Sequence, residues 1–260
     1  MSVYKLIFSP TGGTAKVAAA IAQAWSQPAE TIDLSNAESD FSTYAFGDGD
    51  TALIAVPSFG GRVPKLAAER LAKIKGGSAK CILVCVYGNR AYEDTLAELE
   101  DIAESCGFRV AAAVSAVAEH SIIHQYAAGR PDTKDLETLA AFAKRIQLAL
   151  PGISQKPEIP GNRPYKKAGG AGLTPKADKN CVNCGLCVKN CPAGAIDASN
   201  VKSCDKSRCI SCMRCAVQCP HQARRVNGAM VSAAALALKK ACSERKEPEL
   251  FIATEGRTHS

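Results

Sequence analysis

The chain predicts an α/β architecture, a doubly wound parallel sheet of five strands over residues 1–150, followed by a small α+β module rich in cysteine. Three observations carry this prediction. Residues 1–150 alternate short apolar runs with helical patterns, as successive β-α units do. Nine of the 13 cysteines fall between Cys181 and Cys219. Between the two regions, residues 151–175 hold five prolines and five glycines with no usable periodicity, which marks a linker.

Length and composition fit that division. At 260 residues and 27.3 kDa, with 47% hydrophobic and 22% charged residues, the chain suits two globular domains. No apolar run approaches the ~18 residues a membrane span needs. The start, MSVYKLIFSP, lacks a basic region followed by a long apolar stretch and a cleavage site. A cytoplasmic protein without a membrane partner is therefore expected, and in a reducing compartment clustered cysteines point to metal binding rather than disulfides.

The strands are VYKLIF (3–8), TIDL (31–34), TALIAV (51–56), AKCILVCVY (79–87) and FRVAAAVSAV (108–117). The third and fourth are nearly continuous apolar runs, as parallel strands covered on both faces should be. Helical faces lie between and after them: Val17, Ile21 and Trp25, then Tyr92, Leu96, Leu99, Ala103 and Cys106, then Leu136, Leu139, Ala143, Ile146 and Leu150. The pattern suits strand order 2-1-3-4-5, and Rossmann-type winding is also compatible with it. After the linker, residues 176–228 form the cysteine module. In 229–260, Val231, Ala234, Leu238 and Cys242 predict a closing helix that ends before Pro248, followed by a tail.

Cys181, Cys184, Cys187 and Cys191 are spaced C-x2-C-x2-C-x3-C and followed by Pro192; Cys209, Cys212, Cys215 and Cys219 repeat the spacing before Pro220. This is the spacing of a bacterial two-cluster ferredoxin, in which the fourth cysteine of each run ligates the other cluster. The expectation is two [4Fe–4S] clusters, one on Cys181, Cys184, Cys187 and Cys219, the other on Cys209, Cys212, Cys215 and Cys191. Paired zinc sites would explain a duplicated 2-2-3-Pro spacing less well. Cys81 and Cys85 lie on one face of a buried strand and read as core, while Cys106 and Cys242 sit on apolar helix faces. Nothing in its spacing requires Cys204 to be a ligand, and His221 reads as a solvated neighbour of Cys219.

Charge divides the chain. Residues 1–150 carry 14 Lys and Arg against 17 acids, a net of −3, whereas residues 151–260 carry 18 against 8, a net of +10. A nucleic-acid binder can look like this. Yet residues 176–228 carry a net of +6, and two clusters of about −2 each with their thiolates would offset most of it. The module also has no Phe, Tyr or Trp on which a base could stack. No nucleic-acid partner is expected.

In such a sheet, ligands bind beyond the carboxyl ends of the strands at the switch point. The loop after the first strand, Ser9-Pro10-Thr11-Gly12-Gly13-Thr14, offers hydroxyls and backbone N–H groups at a helix start, a phosphate cradle without Lys or Arg. Walker and G-x-G-x-x-G spacings are absent. The loop after strand three holds Pro57, Ser58, Phe59, Gly60 and Gly61; the loop after strand four holds Tyr87, Gly88, Asn89, Arg90 and Tyr92. Phe59 and Tyr92 are expected to sandwich a planar ring. A phosphate cradle beside a flat aromatic slot describes FMN.

LIFSPTGGT (6–14) resembles the flavodoxin phosphate loop, with Gly13 where Asn is common. With VPSFGGRVP, VYGNRAYEDTL, AEHSII and AAGRPDTKDL, followed by the double cysteine motif, the chain resembles the EFR1-type fusions of a flavodoxin-like domain with a ferredoxin-like one, from about Tyr4 to Val226. The resemblance implies FMN, two [4Fe–4S] clusters and electron transfer; the expected partner, read from the charge and the cluster module, is a redox protein, ferredoxin-like or an oxidoreductase. An FMN/iron–sulfur reductase of a quinone or other small acceptor is the alternative, with His120, His124 and Tyr126 as proton-donor candidates, and a redox-sensing module is a second. For His120 a structural hydrogen bond is the expectation, ahead of catalysis. The basic residues Lys176, Lys179, Lys189, Lys206, Arg208 and Arg214 are expected to steer an acidic partner.

Overall fold

The computed structural model describes residues 2–25, 28–169 and 172–253. The first part runs β1 (Val3–Ile7), α1 (Gly13–Ala22), β2 (Glu30–Asp33), β3 (Thr51–Pro57), α2 (Lys65–Leu71), β4 (Lys80–Tyr87), α3 (Thr95–Ser105), β5 (Arg109–Val117) and α4 (Thr133–Ala149). The cysteine module follows, with β6 (Lys176–Ala177), α5 (Leu186–Lys189), α6 (Arg214–Val217) and β7 (Arg224–Arg225), and the chain closes with α7 (Gly228–Leu238) and β8 (Glu249–Ile252). Among the described residues no helix is long and apolar enough to cross a membrane.

Strands β1 to β5 are parallel in the flavodoxin-like order β2-β1-β3-β4-β5. Alternation along the strands builds two cores. Cys81, Leu83 and Cys85 join Leu6, Phe8 and Ile54 under α2 and α3, while Ile82, Val84 and Val86 join Val17, Ile21, Leu139 and Ile146 on the opposite face. Cys81 and Cys85 are core residues as expected, and burial drives both thiols upward in pKa. Helix α4 starts with a reciprocal capping box between Asp132 and Asp135.

Two features depart from the sequence reading. The sheet has a sixth strand, because β8 pairs antiparallel with Ala112–Ser115 of β5. Its Glu249 is accommodated by Ser115 Oγ and Tyr92 Oη, which both donate to Oε2 at 2.8 Å. Residues 151–175 form no regular element, yet part of this stretch is fastened to α3 rather than free. Asn162 N and Lys166 N donate to the two oxygens of Asp94, at 2.8 and 2.7 Å, and Arg163 Nη2 reaches Glu100 at 2.6 Å. Those contacts hold Asp94 below the usual carboxylate range, through the backbone N–H of Lys166 first.

Helix α7 ends at Leu238, short of the expected Cys242. Asn227 caps it by accepting from Met230 N, and Val231, Ala234, Ala235 and Leu238 pack with Ile123 and Tyr126 of the segment after β5. Beyond it, Arg245 pairs with Asp132 and Asp135 at the start of α4. The cysteine module is therefore tied to the sheet domain on both sides in sequence.

Candidate functional site

The two cysteine runs fold alike. Asn183 and Gly185 (φ 58° and 74°) and their counterparts Ser211 and Met213 (φ 54° and 63°) are left-handed, as are Gly194 and Gln222 (φ 54° and 49°) three residues after each fourth cysteine. Left-handed residues among right-handed ones turn successive N–H groups inward and make a concavity suited to an anion. Ala195 N and Ala223 N each donate to the fourth cysteine's Sγ, Cys191 and Cys219, at 3.3 Å.

These turns enclose two hollows. One is lined by Cys181, Cys184, Cys187 and Cys219, the other by Cys191, Cys209, Cys212 and Cys215. The fourth cysteine of each run thus faces the hollow of the other. Among the described residues, no three His, Cys, Asp or Glu side chains converge closely enough for a single metal ion. Four thiolates around each hollow suit a cubane, which takes one cysteine per iron. Burial pushes the Cys212 thiol to about 11 and Cys215 to about 12, so ligation there displaces protons. Cys204, which spacing did not implicate, also lines the second hollow.

The surroundings of the hollows differ. Around the first, Val182 is 58% and Leu186 37% exposed, and Cys184, Pro220 and His221 are exposed as well. Around the second, Ile196 and Met213 are buried, and Ile210 packs onto the core under α2 and α3. Arg70 donates from Nη2 to Pro192 O at 2.6 Å and from Nη1 to Leu34 O at 2.5 Å. Arg214, expected on the free basic face, is turned instead toward Asp33, at 3.7 Å.

At the carboxyl end of β1 lies the loop of residues 9–14, which leads directly into α1. Gly12 takes φ 93°, which its missing Cβ permits, and α1 starts directly after it. Among the described residues, the N–H groups of Thr11, Gly12, Gly13 and Thr14 donate to no protein acceptor. Ser9 Oγ accepts from Ala15 N at 2.9 Å and retains its own proton to donate. A Cβ on Gly13 would sit 3.1 Å from that of Ala118, so a small residue lets α1 approach the end of β5. Four N–H groups without protein acceptors at a helix start fit a phosphate dianion.

The aromatic slot differs from the expectation. Phe59 and Arg62 exchange backbone hydrogen bonds around Gly60 and Gly61 (φ 62° and 85°), a tight hairpin that leaves Phe59 partly exposed beside Pro57. Ser58 Oγ bonds Thr95 Oγ1 at 2.8 Å. Tyr92 instead turns toward the sheet edge, its ring edge-on to Tyr87 at 5.3 Å and its hydroxyl on Glu249. The rest of this loop is likewise used by the protein. Asn89 Nδ2 donates to Cys242 O and Glu244 O, Arg90 pairs with Glu93 at 2.7 Å, and Gly88 leaves room for the His120 ring. Asn89 and Tyr92 thus hold the C-terminal segment, which spacing could not reveal.

His120 Nδ1 accepts from Ile122 N and Ile123 N at 3.2 and 3.1 Å, and burial lowers its pKa, so a neutral ring holds the turn. His124 pairs with Glu119, and Tyr126 Oη donates to Ala235 O. The Tyr126 hydroxyl and one ring nitrogen of each histidine are thereby used within the fold.

Comparison with known proteins matches the cysteine module to a family model. The family model of the 4Fe-4S binding domain matches residues 178–197 and 205–225. No curated protein matches the chain. Similar solved structures include the Streptococcus pneumoniae TIGR4 flavodoxin (18% identity, TM-score 0.43, covering 56% of this chain and 99% of that one). Two-electron reduced Megasphaera elsdenii flavodoxin gives 18% identity and TM-score 0.35, covering 55% and 98%. Rubredoxin oxygen:oxidoreductase from the anaerobe Desulfovibrio gigas gives 16% and 0.40, covering 58% of this chain but only 35% of that one. At these values the flavodoxin-like assignment rests on the strand order itself.

Proposed function

We propose that the chain is an electron-transfer iron–sulfur flavoprotein that links two [4Fe–4S] clusters with FMN and exchanges electrons with a redox protein partner, as in the EFR1-type fusions it resembles. When bound, the clusters pass single electrons and FMN accepts one or two. The observation that carries the reading is one short segment serving both sites. Asp33 and Leu34 receive Arg214 and Arg70 at the second hollow, while Ser35 Oγ accepts Ser9 N at 2.9 Å in the phosphate loop.

The division of labour follows from the residues. Thr11 to Thr14 bind the phosphate, with Phe59 offering a ring face nearby, and the crossed cysteine sets hold the clusters. The exposed apolar centre at Val182 and Leu186, flanked by exposed Lys179, Lys189 and Lys202, is where an acidic partner docks. Such a protein works in the cytoplasm without membrane or nucleic acid.

Anaerobic purification with iron, sulfide and flavin analysis tests the content, with roughly eight iron, eight sulfide and one FMN expected. Thr11→Asp sets a carboxylate against the phosphate and should lower FMN affinity at least about tenfold, with riboflavin affected far less. Stopped-flow mixing then tests the partner. Reduction by a reduced acidic ferredoxin should be fast and slow with added salt; salt-independent reduction by NADPH at enzymatic rates would favour a reductase instead.

A further inference from the structure

The wall between the two hollows contains a buried cation. Arg224 is 3% exposed and lines the first hollow. Its Nη2 donates to Val201 O, from another residue lining the first hollow, and its Nη1 donates at 3.1 Å to Pro175 O, from a residue lining the second. Both acceptors are neutral carbonyls. Its Nε is buried and, among the described residues, without a partner.

The internal repeat supplies a comparison. Cys191-Pro192-Ala193-Gly194-Ala195-Ile196 matches Cys219-Pro220-His221-Gln222-Ala223-Arg224 position by position, so Arg224 stands where the first run has Ile196. Ile196 is 5% exposed and lines the second hollow with apolar surface. A guanidinium carries its charge at any working pH, and burying it where isoleucine fits is costly unless negative charge faces it. The eight cysteines of the two hollows supply that charge once they are thiolates.

We propose that Arg224 is a counter-cation shared by the two clusters, a positioning residue whose fixed charge favours their reduced forms and offsets the repulsion between them. This inference rests on the iron–sulfur reading and is independent of the flavin.

The test uses the full-length, cluster-loaded protein with Arg224→Gln, Arg224→Met and Arg224→Lys, titrated electrochemically and followed by electron paramagnetic resonance. In Arg224→Gln and Arg224→Met the reduction equilibrium of each cluster should shift about tenfold toward the oxidised form, a fall of about 59 mV. Arg224→Lys should remain near the wild type. If the neutral variants lose iron while Arg224→Lys retains it, charge compensation is still the cause and the proposal stands. Neutral variants that titrate like the wild type overturn it. So does loss of iron from Arg224→Lys, which would make the guanidinium's hydrogen bonds to Pro175 and Val201 the whole of its role. Absence of acid-labile sulfide from the wild type, measured before any titration, would remove the iron–sulfur reading itself and this proposal with it.

Discussion

The first hollow opens where Val182, Cys184, Leu186 and His221 meet solvent, whereas the second is closed by Ile196, Met213 and Ile210 against the sheet domain. Their cysteines share one spacing and their turns share left-handed positions. What differs is every residue between the ligands. Val182 on the outer run corresponds to Ile210 on the inner one, and Ile196 on the inner hollow to Arg224 on the outer. The repeat thus fixes the cysteine spacing, and the residues between and just after the cysteines set which hollow opens to solvent and which meets the sheet.

Breaking the crossed ligation should have the largest effect. Cys191→Ser removes a ligand from the inner hollow although it lies in the first run, so about half of the roughly eight iron should be lost, with the outer cluster's signal intact. Cys219→Ser should do the converse. Loss of the outer cluster alone from Cys191→Ser would show that each run holds its own cluster.

A smaller effect is expected from loosening only the inner hollow. Arg70→Ala removes the donor to Leu34 O and Pro192 O, a loss of about 1–3 kcal/mol at partly buried carbonyls. Iron transfer from the inner cluster to a chelator should then speed up several-fold while the outer cluster's rate is unchanged. Equal acceleration of both would mean that the module moves as one body and that Arg70 does not distinguish the sites.

The mildest prediction concerns the turns themselves. Gly185 has φ 74° with open space where a Cβ would stand, so Gly185→Ala isolates the backbone term, about 1 kcal/mol. The denaturant midpoint for loss of cluster absorbance should fall accordingly. Met213 bears the same conformation with a side chain and is 3% exposed, so Met213→Gly should exchange relief of strain for lost packing and change the midpoint less favourably than backbone freedom alone would suggest.

Much of this molecule was legible from local sequence. The five parallel strands lie within a residue or two of the apolar runs that predicted them, because β3 to β5 are buried almost throughout, the edge strand β2 buries Ile32, and alternation is a property of adjacent residues. The cysteine spacing and the loop from Ser9 to Thr14 are equally local: a turn's ligands and a helix's first N–H groups come from neighbours in the chain. What only the tertiary structure decided involves partners far apart in sequence. Asn89 reads as a ligand of a flat ring, yet it holds carbonyls 153 and 155 residues later. Tyr92 reads as a stacking residue, yet its hydroxyl goes to Glu249 on a strand that no pattern announced. Arg214 reads as a charge free to steer a partner, yet it meets Asp33 across the module boundary, and Arg224, which no motif singled out, lies buried between the hollows. Spacing along the chain specifies which atoms can converge locally; which side chain is desolvated, and by what, depends on how separate elements pack.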